Sequence, residues 1–404
     1  MMMTATPAET DIVIAGGGIA GLAAAAAFSH LGLRCLCVDP EPPVTERDAT
    51  GADLRSTAFL QPSRNLLARI GLWDRLAPHA SALQVMRIVD AGGATPAPRL
   101  TRDFDAAEIG DHPFGWNLPN WLLRREFVAA LAERTEVDHR TGVAVSDVLP
   151  RAEEAVVSLS DGTQIRARMV VAADGRNSTV RQRAGIGVRT TRYAQKALAF
   201  AVTHDTPHDN VSTEIHRSGG PFTLVPLPDH DGKPCSAVVW MEHGPEAHRL
   251  MALSDASFSA AATARSGALY GPLTLASRRT LWPIISQIAD RFDAPRTALM
   301  AEAAHVVPPI GAQGLNMSLA DLTVLLDLAE ADPDGLGTAP MLAAYHRARR
   351  PDVAARIAGV DLLNRASMLE PRPLRDLRRA GLAALYGISP LRRRLMQMGL
   401  GAKG

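Results

Sequence analysis

The chain is poor in the residues that mark several large classes of protein. Among 404 residues it has three cysteines, Cys35, Cys37 and Cys235, and no Cys-x-x-Cys pair. This excludes a disulfide-stapled secreted domain, and we predict no metal site. Cys35 and Cys37 share one face of an apolar strand, so we expect three reduced and packed thiols.

Excess charge, long apolar runs and repeats are also missing. The 43 basic and 42 acidic residues leave a net charge of +1, which gives no reason to expect a nucleic-acid partner. No apolar run approaches the roughly 18 residues that a membrane-spanning helix needs. Residues 4–10 are short and polar, unlike a signal peptide. We therefore expect a cytoplasmic protein, either soluble or peripheral on the inner face of the membrane.

The N-terminal stretch carries the first clear motif. An apolar run at 11–15 leads into Gly16-x-Gly18-x-x-Gly21 and an Ala-rich segment that continues to about residue 31. This spacing is typical of a strand, turn and helix that bind a dinucleotide: one glycine makes the turn, one lets backbone approach a pyrophosphate, and one lets the helix pack on the strand. The helix start offers free N–H groups to the anion. A second predicted strand, 34–39, ends in Asp39, where this motif has its ribose-binding acid.

Two later stretches repeat the change from strand to turn to helix. An apolar strand at 164–172 runs into Asp174-Gly175 and then Ser178-x-x-Arg181. Asp174 is a candidate ligand; it is also a candidate helix cap, and both roles can hold together. A third corner spans 297–316 and leads into a long helix with leucines on one face.

The block from 193 to 291 has a different pattern. Alternating segments at 197–202, 222–225 and 237–241 predict an antiparallel sheet, with Pro226-Leu-Pro228 placed between two of its strands. Elsewhere we predict helices at 61–70, 121–133 and 341–364, a strand at 83–89, and irregular structure from 91 to 120 because that stretch is rich in Gly, Pro and Asp.

Together the three corners resemble those of the single-component aromatic hydroxylases that use FAD. The match covers nearly the whole chain, and three motifs carry it: Gly16-Gly-Gly18-x-x-Gly21, Ala173-Asp174-Gly175-x-x-Ser178-x-x-Arg181, and Glu302-Ala-Ala-His305 with Pro308-Pro309-x-Gly311-x-Gln313-Gly314-x-Asn316. Stretches at 118–124, 282–284 and 391–399 are similar to the ubiquinone-biosynthesis branch of that family.

The resemblance implies a mixed α/β fold of two domains. We expect a discontinuous Rossmann-type FAD-binding domain at 1–81, 120–190 and 292–364. An antiparallel-sheet substrate domain would comprise 82–119 and 191–291. A basic helical C-terminal segment would follow at 365–404.

The resemblance also implies which residues hold the adenine end of FAD. Gly16, Gly18 and Gly21 would cradle the pyrophosphate, and Asp39 would bind the adenosine ribose. Arg55 and Arg124 are similar to arginines that lie close to the cofactor. For both arginines the alternative is a solvated charge beside a helix.

The flavin end involves the second and third corners. Asp174 and Gly175 would lie where FAD meets NADH or NADPH, and Glu302 would bind the ribityl chain. Pro308, Pro309 and Gly311 would shape a loop at the flavin ring and shield it from water. The main chain of Gly314, Leu315 and Asn316 would face the anionic side of the reduced ring.

The third corner departs from the family pattern. Ala301-Glu302 stands where the family usually has Gly-Asp. The longer glutamate and the added methyl of Ala301 should require a small backbone shift, so FAD affinity is the property that this departure affects. We expect His305 to lie beside the cofactor and to be satisfied by a local hydrogen bond, not to act as a catalytic base.

The predicted activity is an FAD-dependent monooxygenase reaction with NAD(P)H and O2. Its substrate would be the aromatic ring of a lipophilic, polyprenylated phenol or benzoquinol in ubiquinone biosynthesis. One alternative is a hydroxylase of a soluble aromatic compound. Another is a non-catalytic flavoprotein within a biosynthetic complex, an option that Ala301-Glu302 keeps open.

The last stretch of the chain is basic. Residues 365–404 hold nine basic and two acidic residues, with leucines at helical spacing among the arginines. Such a pattern at 372–400 suits peripheral contact with an anionic membrane, where the polyprenyl substrate would reside. The same pattern equally suits a helical cap that packs on the body with its arginines in solvent.

Overall fold

The computed structural model describes residues 8–91, 100–217 and 220–368. Its α-helices are α1 (Ile19–His30), α2 (Gln61–Arg69), α3 (Trp73–Leu76), α4 (Asn120–Ala132), α5 (Thr179–Arg183), α6 (Gly244–Met251), α7 (Asp255–Arg265), α8 (Gln313–Ala331) and α9 (Ala339–Ser367). Short 3-10 helices lie at Ala77–His79, Ala106–Glu108 and Ala301–Ala303.

Strands alternate with these helices in a mixed α/β arrangement. They are β1 (Ala8–Ala15), β2 (Cys35–Asp39), β3 (Ser56–Leu60), β4 (Ser81–Leu83), β5 (Val85–Asp90), β6 (Leu100–Asp105), β7 (Gly115–Pro119), β8 (Val137–Thr141), β9 (Val145–Pro150), β10 (Ala155–Leu159), β11 (Gln164–Ala172), β12 (Val188–Thr203), β13 (Val211–His216), β14 (Pro221–His230), β15 (Lys233–His243), β16 (Thr274–Leu275), β17 (Thr280–Ala289), β18 (Asp293–Ala294), β19 (Thr297–Leu299) and β20 (His305–Val306).

The first sheet carries the glycine motif. Its parallel strands follow the order β19, β11, β1, β2 and β8, while β9 and β10 extend it from β11 and β18 pairs with β19. Ile12, Val13 and Ile14 are fully buried, because both faces of β1 are covered. The strand, turn and helix predicted from 11 to 31 are confirmed by β1 and α1.

The second sheet has nine strands and is mostly antiparallel, as the alternation predicted. Its order is β20, β17, β12, β15, β14, β13, β5 and β6, with β16 paired to β12, and among the described residues of this sheet only β13 and β5 are parallel. Helices α6 and α7 contribute Leu250 and Phe258 to a core that also contains Phe200 and Trp240 from the sheet. A third, small sheet joins β3, β7 and β4.

The prediction that 91–120 is irregular is wrong for two segments. β6 pairs with β5 at the edge of the second sheet, and β7 lies between β3 and β4. Gly115 lets β7 approach β3 closely, since a Cβ there would lie 2.4 Å from the carbonyl oxygen of Phe59. The strand predicted at 83–89 is also divided, into β4 and β5. β4, β5 and β7 depend on partners that are distant in sequence, so local composition concealed them.

The placement of Pro226-Leu-Pro228 between strands is wrong as well. All three residues lie inside β14, where Pro226 pairs with Ser236 of β15. Because proline has no N–H, the ladder is irregular after Leu227. The carbonyl of Pro226 instead accepts a 2.8 Å hydrogen bond from Asn117 of β7, which ties the small sheet to the large one.

The structure also bears on the cysteines, on membrane-spanning helices and on the basic C-terminal segment. The three cysteines are buried and free, as predicted. Within the described ranges, every helix is too short or too polar to cross a membrane. The basic segment predicted at 365–404 is described only as far as residue 368, so the membrane contact predicted for 372–400 lies outside the described residues.

Candidate functional site

The three corners meet at one edge of the first sheet. The carboxyl ends of parallel strands share an edge, and the corners follow the neighbouring strands β1, β11 and β19. Main-chain hydrogen bonds join the corners directly: Ala173 donates to Ala15 at 2.8 Å, and Met300 donates to Ala172 at 3.0 Å. Three motifs separated by more than a hundred residues thus form one concave site.

The glycines of the first corner have three different environments. Gly16 has φ +105°, and a Cβ there would lie 2.4 Å from the carbonyl oxygen of Ala173. At Gly21 a Cβ would lie 1.8 Å from the carbonyl oxygen of Gly16, so helix α1 can pack on the turn only without a side chain. No heavy atom lies within 4 Å of the Cβ position of Gly18. A tight turn, a close helix contact and an open backbone face are what a pyrophosphate cradle requires.

Asp39 is held against this turn at the end of β2. One carboxylate oxygen accepts a 2.6 Å hydrogen bond from the Gly17 N–H, and the other accepts from the Glu41 N–H at 2.9 Å. Each carboxylate oxygen can accept a second hydrogen bond. The group is therefore fixed in direction while retaining capacity for a ribose hydroxyl.

The second corner uses two side chains to begin α5. Ser178 is the N-cap and accepts a hydrogen bond from the Arg181 N–H, while Asp174 Oδ2 accepts from the Val180 N–H at 3.1 Å. Asp174 Oδ1 is buried without a partner in the described part of the chain. Buried polar oxygens normally have a partner, so this atom fits a cofactor hydroxyl. Gly175 follows with φ +81°.

Arg181 joins the second corner to the third. Its buried guanidinium donates to the carbonyl oxygens of Ala303 and Arg176, both at 2.8 Å. Burial lowers the pKa of Arg181, and the charge of Asp174 opposes that shift. Gln287 of the second sheet also donates to the Arg176 carbonyl, at 3.0 Å. The sequence placed Arg181 in a motif but did not reveal this contact.

Ala301 has a left-handed backbone at the third corner. Its φ is +53°, a conformation that favours the glycine that the family usually has there. The methyl group is therefore accommodated with local strain. The Glu302 side chain is exposed at this turn. The third corner thus presents a carboxylate, as a ribityl ligand requires.

Asp321 was missed by the sequence analysis. This aspartate on α8 is fully buried, and its Oδ2 lies 2.7 Å from His305 Nε2 while its Oδ1 accepts a 2.8 Å hydrogen bond from Arg349 Nε. Burial opposes ionisation of Asp321, but His305 and Arg349 hold its pKa below the usual value. His305 was expected to have a local partner; its partner is 16 residues away. The sequence did contain a signal for it: an aspartate stands among the leucines of an apolar helix face, where a charged side chain needs a buried partner.

The loop predicted to lie at the flavin ring runs into α8. Pro308 is buried, Pro309 and Gly311 are exposed, and Gly311 has φ +63°. Gly314, Leu315 and Asn316 lie in the first turn of α8, and the main-chain N–H groups of Gly314 and Leu315 lack intrahelical acceptors. Such N–H groups and the helix dipole suit an anion.

The Asn316 side chain forms hydrogen bonds with the main chain of β3. Its amide nitrogen donates to the Ala58 carbonyl at 2.7 Å, and its amide oxygen accepts from the Leu60 N–H at 2.9 Å. The side chain therefore anchors α8 to β3.

The two candidate arginines differ in their surroundings. Arg55 forms a bidentate ion pair with Asp53, at 2.7 and 2.8 Å, and stacks over Trp282. Burial opposes the charge of Arg55, but Asp53 and then Glu302 raise its pKa. Arg124 is half-buried on α4, and its Nε has no hydrogen-bond partner in the ranges that the structure covers.

A cavity of about 510 Å³ lies beside the second corner. Arg176, Arg192 and Lys196 line it, and none of them forms an ion pair with another described residue. A bulge shapes its wall: Arg192 pairs with Ile285 and Lys196 with Pro283, so three residues of β12, including Ala194 at φ +57°, lie opposite a single residue of β17. The cavity therefore presents uncompensated positive charge next to Gly175.

Comparisons with known proteins agree with this geometry. A family described as "FAD binding domain" matches residues 9–360. Ubiquinone hydroxylase UbiL from Rhodospirillum rubrum is 33% identical over 97% of this chain and 89% of the relative. The 3-demethoxyubiquinol 3-hydroxylase of Escherichia coli is 27% identical over 98% of this chain and the whole of the relative.

Solved structures share the fold. That of p-nitrophenol 4-monooxygenase PnpA from Pseudomonas putida has a TM-score of 0.80 and 18% identity, and covers 99% of this chain and all of its own. PqsL from Pseudomonas aeruginosa has a TM-score of 0.73 and 24% identity, over 91% and 98% of the two chains. At these identities the likeness concerns the fold alone.

Proposed function

Because this chain belongs to the FAD-dependent aromatic hydroxylases, within their ubiquinone-biosynthesis branch, we propose that it hydroxylates a polyprenylated phenol or benzoquinol ring on the way to ubiquinone. The enzyme is a flavin monooxygenase that consumes NAD(P)H and O2. One observation supports the proposal above all others: the three FAD motifs meet at one sheet edge, where Asp174 Oδ1 has no partner among the described residues.

FAD, when bound, would supply the redox chemistry: it would take a hydride from NAD(P)H and activate O2, of which one oxygen atom goes to the ring and the other to water. In this proposal the protein supplies binding and electrostatics. Gly16, Gly18 and Gly21 admit the pyrophosphate, and Asp39 binds the ribose. Glu302 and Asp174 bind hydroxyl groups of the cofactor.

The flavin ring would lie at the loop before α8. The first turn of α8, from Gly314 to Asn316, would stabilise negative charge on it through its free main-chain N–H groups and the helix dipole. The rigid Pro308-Pro309 pair limits access of water to the reacting oxygen. These groups act by position, which suits a reaction whose chemistry belongs to the cofactor.

The nicotinamide cosubstrate would approach through the basic cavity. Its phosphates are polyanionic, and Arg176 and Arg192 are free of ion pairs with other described residues. Changing Arg192 to Gln should raise KM for NAD(P)H several-fold and leave kcat nearly unchanged. Arg189→Gln is the matched control, since Arg189 lies on the same strand but pairs with Asp290 and is 80% exposed. An equal KM in both variants would contradict this route.

The names of the relatives support a ubiquinone precursor as the substrate. The domain that contains the second sheet would hold the aromatic substrate. Residues 372–400 would hold the enzyme at an anionic membrane surface, and a ubiquinone-biosynthesis complex is a further partner. Truncation after Arg372 should abolish vesicle binding and retain FAD. Undiminished vesicle binding would refute the membrane contact.

Two other functions compete less well. Several relatives that match nearly the whole chain bear ubiquinone names, which favours a polyprenylated ring over a soluble aromatic compound. A non-catalytic flavoprotein is disfavoured because relatives that match nearly the whole chain are named as hydroxylases and monooxygenases.

Complementation would test the proposed function. The gene should rescue bacterial mutants blocked at one of the ubiquinone ring hydroxylations, with the accumulated intermediate and restored quinone identified by mass. Anaerobic NADH or NADPH should also bleach the purified yellow protein. Bleaching without complementation would favour a soluble substrate, whereas no bleaching under any tested substrate would favour the non-catalytic role.

A further inference from the structure

A buried charged network begins at the third corner. Asp321 accepts hydrogen bonds from the Ala301 N–H at 3.2 Å and from Arg349 Nε, and it pairs with His305 Nε2. The Asp321 and His305 side chains are almost completely excluded from solvent. One carboxylate thereby holds both ends of the turn that presents Glu302.

The network continues along α9 to the loop predicted at the flavin ring. Arg349 Nη1 donates to Asp352 at 2.7 Å, and Arg356 Nε donates to the same carboxylate at 3.1 Å. Arg356 Nη1 then donates to the Gln313 side chain at 3.3 Å. Gln313 is the first residue of α8. The ribityl corner and the start of α8 are therefore joined through α9.

Stability alone is a weak reason for this arrangement. A buried ion pair is often no more stabilising than apolar side chains of similar volume. Asp321 lies on a helix face whose neighbours Leu319, Leu322 and Leu325 are buried, where an apolar residue would pack readily. Burial of the Asp321 carboxylate costs desolvation energy, but this carboxylate fixes the direction of a strained turn. It accepts a hydrogen bond from the N–H of Ala301, whose φ is +53°.

We propose that Asp321 is a positioning residue for FAD. It holds the turn from Ala301 to His305 so that Glu302 faces the cofactor. Through Arg349 and Asp352 it also fixes the start of α8, so the two FAD-contacting segments keep one relative position. This inference rests on the proposed function.

The direct test is Asp321→Asn, which preserves shape and removes the charge. The Kd for FAD, measured by quenching of flavin fluorescence, should rise on the order of tenfold or more. The visible absorption spectrum of the bound flavin should also shift. Asp327→Asn is the matched control on the same helix, because Asp327 is 57% exposed and pairs with Arg69 at the surface; its Kd should stay near the wild-type value.

A second pair of variants separates positioning from stability. Asp321→Asn combined with Arg349→Met removes both buried charges, so the thermal midpoint of the apoprotein should recover toward wild type while the Kd stays raised. Asp352→Asn leaves the corner intact and should change the flavin spectrum with a smaller rise in Kd. If Asp321→Asn alone does not fold, the double variant carries the test.

Two results would overturn the inference. One is wild-type FAD affinity and spectrum in folded Asp321→Asn. The other is recovery of FAD affinity together with stability in the double variant. Failure of the wild-type protein to bind FAD would overturn the proposed function itself, and this outcome is distinct from both.

Discussion

The guanidinium of Arg181 donates a 2.8 Å hydrogen bond to the main-chain carbonyl of Ala303, although 122 residues separate them. A second bond from the same group reaches Arg176. The corner after β11 and the corner after β19 are therefore held together by one side chain as well as by the sheet.

Loss of this side chain should destabilise the apoprotein. Arg181→Met keeps the apolar stem but leaves two carbonyls without their charged donor, and each such bond contributes about 1.5–3 kcal/mol. We expect the free energy of unfolding in urea to fall by about 3 kcal/mol. Arg183→Met on the same helix is the control, because that side chain is 59% exposed. Equal losses in the two variants would contradict the role of Arg181.

Substitutions at two glycines of the first corner should separate an effect on folding from an effect on FAD binding. Gly21→Ala places a methyl 1.8 Å from the Gly16 carbonyl oxygen, so this variant should fold poorly. Gly18→Ala meets no atom within 4 Å, and its backbone at φ −68° accepts any residue. Its unfolding midpoint should match wild type, while FAD affinity falls on the order of tenfold, or about 1.4 kcal/mol. Unaltered FAD binding by Gly18→Ala would place the pyrophosphate elsewhere.

Ala301→Gly should stabilise the protein. A left-handed conformation costs a non-glycine residue about 1–2 kcal/mol, which glycine avoids. Glycine also raises the conformational entropy of the unfolded chain, and this offsets roughly half of the stabilisation. The expected net increase in unfolding free energy is about 0.5 kcal/mol, with FAD affinity equal or higher. Ala304, at φ −94°, is the control, and Ala304→Gly should lower stability. Destabilisation by Ala301→Gly would show that its methyl packing outweighs the strain.

Protonation of His204 should destabilise the second sheet. Its Nδ1–H donates to the Thr206 carbonyl at 2.8 Å, so neutral Nε2 accepts from the Ser236 hydroxyl at 2.9 Å. Burial lowers the pKa of His204 below its usual 6.5. The unfolded chain then binds more protons than the folded one, so this contribution is complete above pH 6.5 and is lost as pH falls through the folded pKa.

His204→Gln tests this pH dependence. Thermal midpoints between pH 8 and about pH 5 should fall less steeply in this variant than in wild type. His112→Gln, at an exposed histidine, should retain the wild-type slope. A slope in His204→Gln that equals wild type would exclude His204 as the titrating group.

The elements that could be predicted from the sequence are those that depend on the stereochemistry of adjacent residues. Gly16 lies in a turn that needs positive φ, and the apolar run of β1 needs burial on both faces, so the first corner could be predicted from adjacent residues. Alternation likewise predicted the strands at 197–202 and 237–241. The order of the three motifs indicated the family and its cofactor.

Only the tertiary structure decided the contacts between distant residues. Asp321 and His305 meet because α8 packs beneath the third corner, and the Asn316 amide anchors α8 to β3 because those elements lie side by side. β7 forms in a stretch of unfavourable composition because β3 and β4 supply its partners. Each contact depends on the packing of whole elements, which spacing along the chain does not encode. The sequence therefore determined which cofactor this protein binds, and the packing decided which side chains hold the binding segments in place.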